Sequence, residues 1–261
     1  MKQLQRGFGG YAGELGSSEL KWIAMLCMVI DHIGAVFAVQ LAGWYDVFRL
    51  IGRFAFPIYC FLLVYGVVHT HSRFRYALRL LCFAFISEPC FDLVFHHTLL
   101  EFDSQNVFFT LFLSCCMLCV WDWCPKWWGR WLSVCAAAAA AVLLRCDYTY
   151  RGIFFVFCFD QMRRGADSGR RHIQTAAAVL FIAVDLFCFG RILTGDGRIA
   201  WPLLPQRLFG FYNQDVAVLA LVLPAVYGEQ RHGRQSGWQK WMYYAFYPAH
   251  LLALYFIASF V

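Results

Sequence analysis

The chain is short of charge. Asp, Glu, Lys and Arg make up only 15% of its 261 residues, where a soluble domain carries roughly a quarter. There is no Pro/Gly/Ser linker or charge block long enough to separate a second domain, and no internal repeat at a fixed period. Residues 1–261 therefore read as one domain. There is no glycine-rich nucleotide loop. Cys115, Cys116 and Cys119 come closest to a metal spacing, but they sit in an apolar run with no second CxxC and no paired His. A structural metal centre is not expected. Most of the twelve cysteines, such as Cys27, Cys60, Cys82, Cys158 and Cys188, fall inside apolar segments. There they act as small buried hydrophobes.

What fills the space is apolar. Hydrophobic residues make up 61% and aromatics 19%, and the mean hydropathy is +0.55. A water-soluble fold cannot hide that much apolar surface, so the lipid bilayer is the expected partner. The composition predicts an all-α, polytopic transmembrane bundle of about nine helices, within a range of eight to ten. Runs of about 20 apolar residues suit a bilayer core. They lie near 20–41, 51–69, 76–96, 106–121, 131–145, 151–162, 172–190, 208–227 and 240–260. The sixth is short and the fifth is helped by the run Ala136 to Ala141, so eight is the lower count. The first carries Asp31 and His32, which suits a retained helix and not a cleaved signal peptide.

The formal charge of +6 would suggest nucleic acid in a soluble protein; here it reads as topology, with no nucleic-acid partner expected. With the N-terminus inside, fifteen of the 22 Lys and Arg fall in inner loops, as the positive-inside rule requires. Arg49, Arg53, Arg145, Arg151, Arg191, Arg198 and Arg207 fall outside. The loop around Glu101 and Asp103 holds no Lys or Arg at all. A multi-pass cell-membrane protein with a cytoplasmic N-terminus is expected.

Against this background the ionisable residues at depth call for a reason, since each costs about 2.5–3.5 kcal/mol at the bilayer centre. Asp31 and His32 lie ten and eleven residues beyond Lys21, near mid-membrane at 1.5 Å per residue. Asp31 shares a face with Ala24, Cys27, Gly34 or Ala35, and Ala38, small residues that let another helix approach. It therefore faces the interior. His32 lies about 100° around the helix, so each needs a partner on another helix. Arg49 and Arg53 share a face, and Arg53 is a candidate partner for Asp31. As a buried ion pair the two would fix helix packing; with Asn106, Asp147 and His250 they become a candidate site. Pro57 follows in the same run, freeing a backbone carbonyl and predicting a kink.

Four stretches, LKWIAMLCMVIDHIGAVF, RLIGRFAFPIYCFLLVYGVVHT, QNVFFTLFL and FYPAHLLAL, occur in that order across nearly the whole chain. Together they resemble the TraX family, named for the protein that acetylates the N-terminus of conjugative pilin and similar to a wider group of transmembrane acyltransferases. The resemblance implies transfer of an acetyl or other acyl group from acyl-CoA to an amine or hydroxyl, such as a pilin-like N-terminus, a sugar or a small molecule. Such chemistry needs a base and donors for an oxyanion. His32 is then the first candidate base and His250 the second. Asp31 would orient a base or hold an acceptor ammonium, and Arg53 or Asn106 would stabilise the oxyanion. The phosphates of acetyl-CoA would need cations; the densest basic run is Arg73, Arg75 and Arg79, with Lys21 nearby, though these equally suit a solvated, topology-setting loop. Two other readings stand beside this one. The same residues suit a transporter with a mid-membrane Asp/His/Arg site, or a scaffold for a secreted protein in which they only pack. Acceptor and oligomeric state are not specified by the residues.

Overall fold

A computed structural model describes residues 15–41, 43–168 and 237–260, with positions 176 and 223 in addition. The runs at 172–190 and 208–227 lie essentially outside the described residues, as do Lys2, Arg6, Arg170, Arg171, Arg191, Arg198, Arg207, Arg231 and Arg234. What is described is helical, as the composition predicts: α1 Ser17–Val36, α2 Tyr45–Gly52, α3 Ala55–His69, α4 Arg73–Phe95, α5 Val107–Trp123, α6 Trp127–Leu143, α7 Thr149–Asp167 and α8 Gly237–Ala258. α2 and α3 follow one another so closely that Tyr45–His69 forms one 25-residue helix long and apolar enough to cross a membrane. α5 and α6 are apolar but shorter. The runs at 131–145 and 151–162 form two separate helices of 17 and 19 residues, so the short sixth run is a full helix.

The break at Arg53 and Phe54 has a local cause. The ring of Pro57 clashes with a helical carbonyl four residues earlier, which is that of Arg53. The chain therefore stops one helix and restarts another, with Pro57 in the first turn of α3. Pro there removes an N–H that has no intrahelical acceptor. The expected kink is thus a short interruption four residues upstream of the proline.

α1 packs against α2, α3 and α8, and α4 against α5 and α8. α5, α6 and α7 pack on one another, with α3 against α5 and α7. The small-residue face of α1 is buried through Ala24, Cys27, Asp31 and Gly34. Gly52 meets it so closely that a Cβ would fall 2.1 Å from that of Asp31, so only glycine lets α2 lie on the carboxylate. At the far end, the loop before α5 is pinned to the loop before α7. Gln105 N–H donates to the Arg145 carbonyl at 3.0 Å, and Asp147 N–H donates to that of Gln105 at 2.8 Å. Large apolar side chains, including Trp22, Leu26, Phe85, Ile86, Trp127, Leu143 and Ile257, point outward from several helices.

Candidate active site

The two histidines singled out from the sequence meet. His32 Nδ1 on α1 lies 2.7 Å from His250 Nε2 on α8, and the ring planes are 3° apart, as an in-plane N–H···N bond requires. His250 Nδ1 lies 2.9 Å from the carbonyl of Phe246. A carbonyl only accepts, so Nδ1 of His250 carries a proton. With both rings neutral, His250 Nε2 is then an acceptor and His32 Nδ1 donates to it. The lone pair left over is that of His32 Nε2. One long-range contact and one local one thus select one tautomer. Phe95 of α4 and Tyr247 of α8 pack edge-on against His32 at 5.7 and 6.1 Å between ring centres.

Charge gathers beside this pair. Asp31 is salt-bridged to Arg49, Oδ2 to Nη1 2.9 Å. This corrects the expected Asp31–Arg53 pair. Gly52 brings the Arg49 turn of α2 onto α1, whereas Arg53 sits in the break that Pro57 imposes. Arg53 keeps a buried Nε without a hydrogen-bond partner among the described residues, and so does Asp31 Oδ1. Both guanidinium groups lie within electrostatic reach of His32, of Asp147 and of Tyr148. Asp147 lies in the turn between α6 and α7 and accepts the Tyr148 N–H at 2.9 Å. Burial pushes its carboxyl up, to about 6, against the opposing pull of Arg53. Tyr148 and Thr149 take left-handed backbone conformations, φ 61° and 44°. Each costs about 1–3 kcal/mol in a non-glycine residue. The turn is held by Thr110 Oγ1 donating to the Asp147 carbonyl and by Phe56 stacked on Tyr148 at 3.7 Å.

Asn106 plays a different part from the one its position suggested. Its Oδ1 caps α5 by accepting the Phe108 N–H at 2.9 Å. Its Nδ2 donates to Glu88 Oε2 and, at 2.8 Å, to the Ala84 carbonyl. Both amide protons are engaged, so none is left for an oxyanion; Asn106 instead holds α4 against α5. Glu88 Oε1 remains buried and unpartnered among the described residues. One turn further on, Asp92 Oδ2 accepts the Glu101 N–H at 2.8 Å while its Oδ1 has no partner there. Sequence reasoning passed over Asp92, although two carboxylates four apart in an apolar run were a readable signal.

A cavity of about 380 Å³ lies between α1, α3, α4, α5 and α8, lined by Lys21, Met28, Tyr59, Gly66, Arg79, Leu111, Lys240 and Tyr247 among others. That falls in the size range of small-molecule sites, about 300–1,000 Å³. The basic run proposed for phosphate divides. Arg79 lines the cavity, and its Nε has no hydrogen-bond partner among the described residues. Lys21 lines it too and lies over the Tyr243 ring at 4.6 Å. Arg73 instead pairs with Asp122 at 2.6 Å. Arg75, one turn nearer the helix start than Arg79, is exposed. Neither lines the cavity: Arg73 lies about 120° around the helix from Arg79, and Arg75, on nearly the same face, lies one turn nearer the helix start. Lys240 was read as topology alone, yet it joins the lining. Among the described residues no group of three or more His, Cys, Asp or Glu could hold a metal ion.

A family model described as TraX protein matches residues 16–258. The chain is also 25% identical over 255 residues to the probable fimbrial assembly protein FimC of Dichelobacter nodosus, across 92% of this chain and 95% of that protein. No solved structure matches it significantly. The family match and a helix long and apolar enough to cross a membrane point to a membrane protein. The chain belongs to the TraX family.

Proposed function

We propose that the chain transfers an acyl group, acetyl in the simplest case, from acyl-CoA to an amine acceptor, with His32 as general base. The observation that carries this reading is the His32–His250 bond at 2.7 Å, which leaves His32 Nε2 as the free lone pair. In the reaction His32 Nε2 takes a proton from the acceptor nitrogen as that nitrogen attacks the thioester carbonyl. The carbon–sulfur bond then breaks, and the proton passes from His32 to the leaving CoA thiolate. The new imidazolium Nδ1–H keeps its bond to His250 throughout. Arg53 Nε, buried and unpartnered among the described residues, is suited to meet the oxyanion of the intermediate. Asp31 holds Arg49 in place and presents its second oxygen to the acceptor.

The likeness to a fimbrial assembly protein over almost the full length supports a fimbrial-subunit N-terminus as acceptor. Successive described helices joined by short turns and the outward-facing apolar side chains support a multi-pass arrangement in the cell membrane. Under that arrangement the starts of α1, α4 and α8 face the cytoplasm, where acyl-CoA is made. Arg49, Arg53 and Asp147 then face the other side, where a secreted subunit emerges. The test is acetyl transfer by purified protein in detergent, from isotopically labelled acetyl-CoA to a synthetic fimbrial-subunit N-terminal peptide, read by mass spectrometry. A peptide carrying one labelled acetyl group on its terminal nitrogen is the expected product. An unaltered peptide, with acetyl-CoA also unconsumed, would sink the proposal.

A further inference from the structure

We infer that the cavity between α1, α3, α4, α5 and α8 is the binding site of the phosphate-bearing thioester donor, entered from the end where Lys21, Arg79 and Lys240 stand. The inference rests on the acyl-transfer reading and gives the donor a place that the family match does not assign. The cations lie at one level. Lys21 is in the second turn of α1, Lys240 in the first turn of α8, and Arg79 in the second turn of α4. Three cations around one opening, on a wall otherwise rich in Tyr and Leu, suit a ligand with an anionic head and a long uncharged arm. The arm has a direction. From Lys21 to Met28, and from Lys240 to Tyr247, is seven residues, or about 10 Å of helix; all four line the cavity.

One turn beyond Met28 stands His32, and Tyr247 packs edge-on against both His32 and His250. From the cations to the level of the histidine pair is therefore about 16 Å along α1. An extended pantetheine arm spans such a distance, which sets diphosphate at the cations and thioester at the histidines. Tyr247, which lines the cavity and packs on both imidazoles, is the side chain that the thioester end of the arm reaches beside them. A phospholipid headgroup has the same anionic chemistry as the donor's diphosphate, so the test must separate the two.

The measurement is the KM and kcat for acetyl-CoA of Arg79→Gln and Lys240→Gln against the unaltered protein, with calorimetric titration of CoA into the same samples. Lys240 is exposed, so its variant keeps the test alive if loss of Arg79 disturbs folding. Loss of one charge-assisted contact raises KM by about tenfold in each variant and leaves kcat within about twofold. CoA affinity falls by the same factor. Unchanged KM in both variants, with transfer still running, would overturn the assignment of the cavity and leave the acyltransferase standing. No transfer by the unaltered protein would sink the function instead; CoA binding weakened by the same variants would then still support the site, and no CoA binding would remove it. Were the two substitutions to weaken binding of phosphatidylglycerol in mixed micelles but not of CoA, the cavity would be a headgroup site and the proposal wrong.

Discussion

Two sets of carboxylates in this molecule are treated in opposite ways. At the ends of α5 and α7, Asp122 pairs through Oδ2 with Arg73 and through Oδ1 with Arg164. Asp160 pairs through Oδ1 with Arg163 at 2.8 Å and through Oδ2 with Arg164 at 2.6 Å. All four oxygens have a guanidinium. By contrast Asp31 on α1 and Glu88 and Asp92 on α4 each have one oxygen bound and the other buried with no partner among the described residues. An unsatisfied buried oxygen costs about 1–3 kcal/mol or more when charged. A fold that spends guanidinium groups freely on the first set had the means to satisfy the second. The first set locks three helices together; in the second, half of each carboxylate is left without a partner among the described residues.

The sharpest break of that contrast comes from the proposed base, His32. His32→Ala removes the lone pair and should lower kcat for acetyl transfer by about 10²–10⁴-fold, with helical content by circular dichroism retained and the melting temperature lowered only by the acceptor it leaves unpaired on His250. A variant that is slow only because it has unfolded would show the loss in both. Asp160→Ala should do the reverse. It takes the carboxylate from buried Arg163 while Arg164 keeps Asp122, and breaking a buried pair costs on the order of 3 kcal/mol. Its melting temperature should fall by several degrees, while turnover per folded molecule at low temperature stays close to the unaltered value. If Asp160→Ala instead abolished turnover in a well-folded sample, the division into locking and acting carboxylates would fail.

Much of the frame could be read from the residues, because it rests on local rules. The depth of Asp31 and the small-residue face around it follow from helical periodicity, and Ala24, Cys27, Asp31 and Gly34 are indeed buried together. Pro57 announces its break in the same way. What the residues withheld is pairing across the fold. His32 and His250 are 218 positions apart, and no periodicity joins them; the tautomer that makes His32 Nε2 available appears only when Phe246 and both rings are placed. Arg49 and Arg53 share a helix face, so sequence could not choose between them. The choice was made by Gly52, whose missing side chain sets how closely α2 lies on Asp31. The cavity was legible only in fragments: Lys21 and Arg79 were singled out, while Lys240, Met28 and Tyr247 come from helices whose packing order is not written in their composition.

A smaller effect tests the turn between α6 and α7. The carboxyl of Asp147 titrates near 6 in the fold and near 3.9 in an unfolded chain. Between those values the folded state holds more protons, so stability falls as pH rises from about 4 to about 6 and is flat above. At pH 7 the full cost is present, on the order of 2–3 kcal/mol. Asp147→Asn keeps the acceptor for the Tyr148 N–H and carries no charge, so its melting temperature at pH 7 should rise above that of the unaltered protein and converge with it at pH 4. A gain that did not depend on pH would mean that burial of the charge is not the cause.

The mildest change is the one that bears most directly on why the second set of carboxylates is left open. Glu88 Oε2 already accepts from the Asn106 backbone N–H at 3.2 Å and from its side chain, so Glu88→Gln with its oxygen on that side preserves the α4–α5 contact. Its amide nitrogen would then replace the unpartnered Oε1. If that oxygen is only an uncompensated acceptor, the substitution removes a buried charge and the protein should melt at the same or a higher temperature with its turnover intact. If the oxygen belongs to the working site, turnover should fall by about tenfold, equivalent to about 1.4 kcal/mol of transition-state stabilisation, while the melting temperature does not fall. The carboxyl acts within electrostatic reach of Tyr247, which lines the cavity and packs on both histidines. The second outcome is therefore expected: the unpartnered oxygen stands where it can act on Tyr247, between the proposed donor cavity and the proposed base.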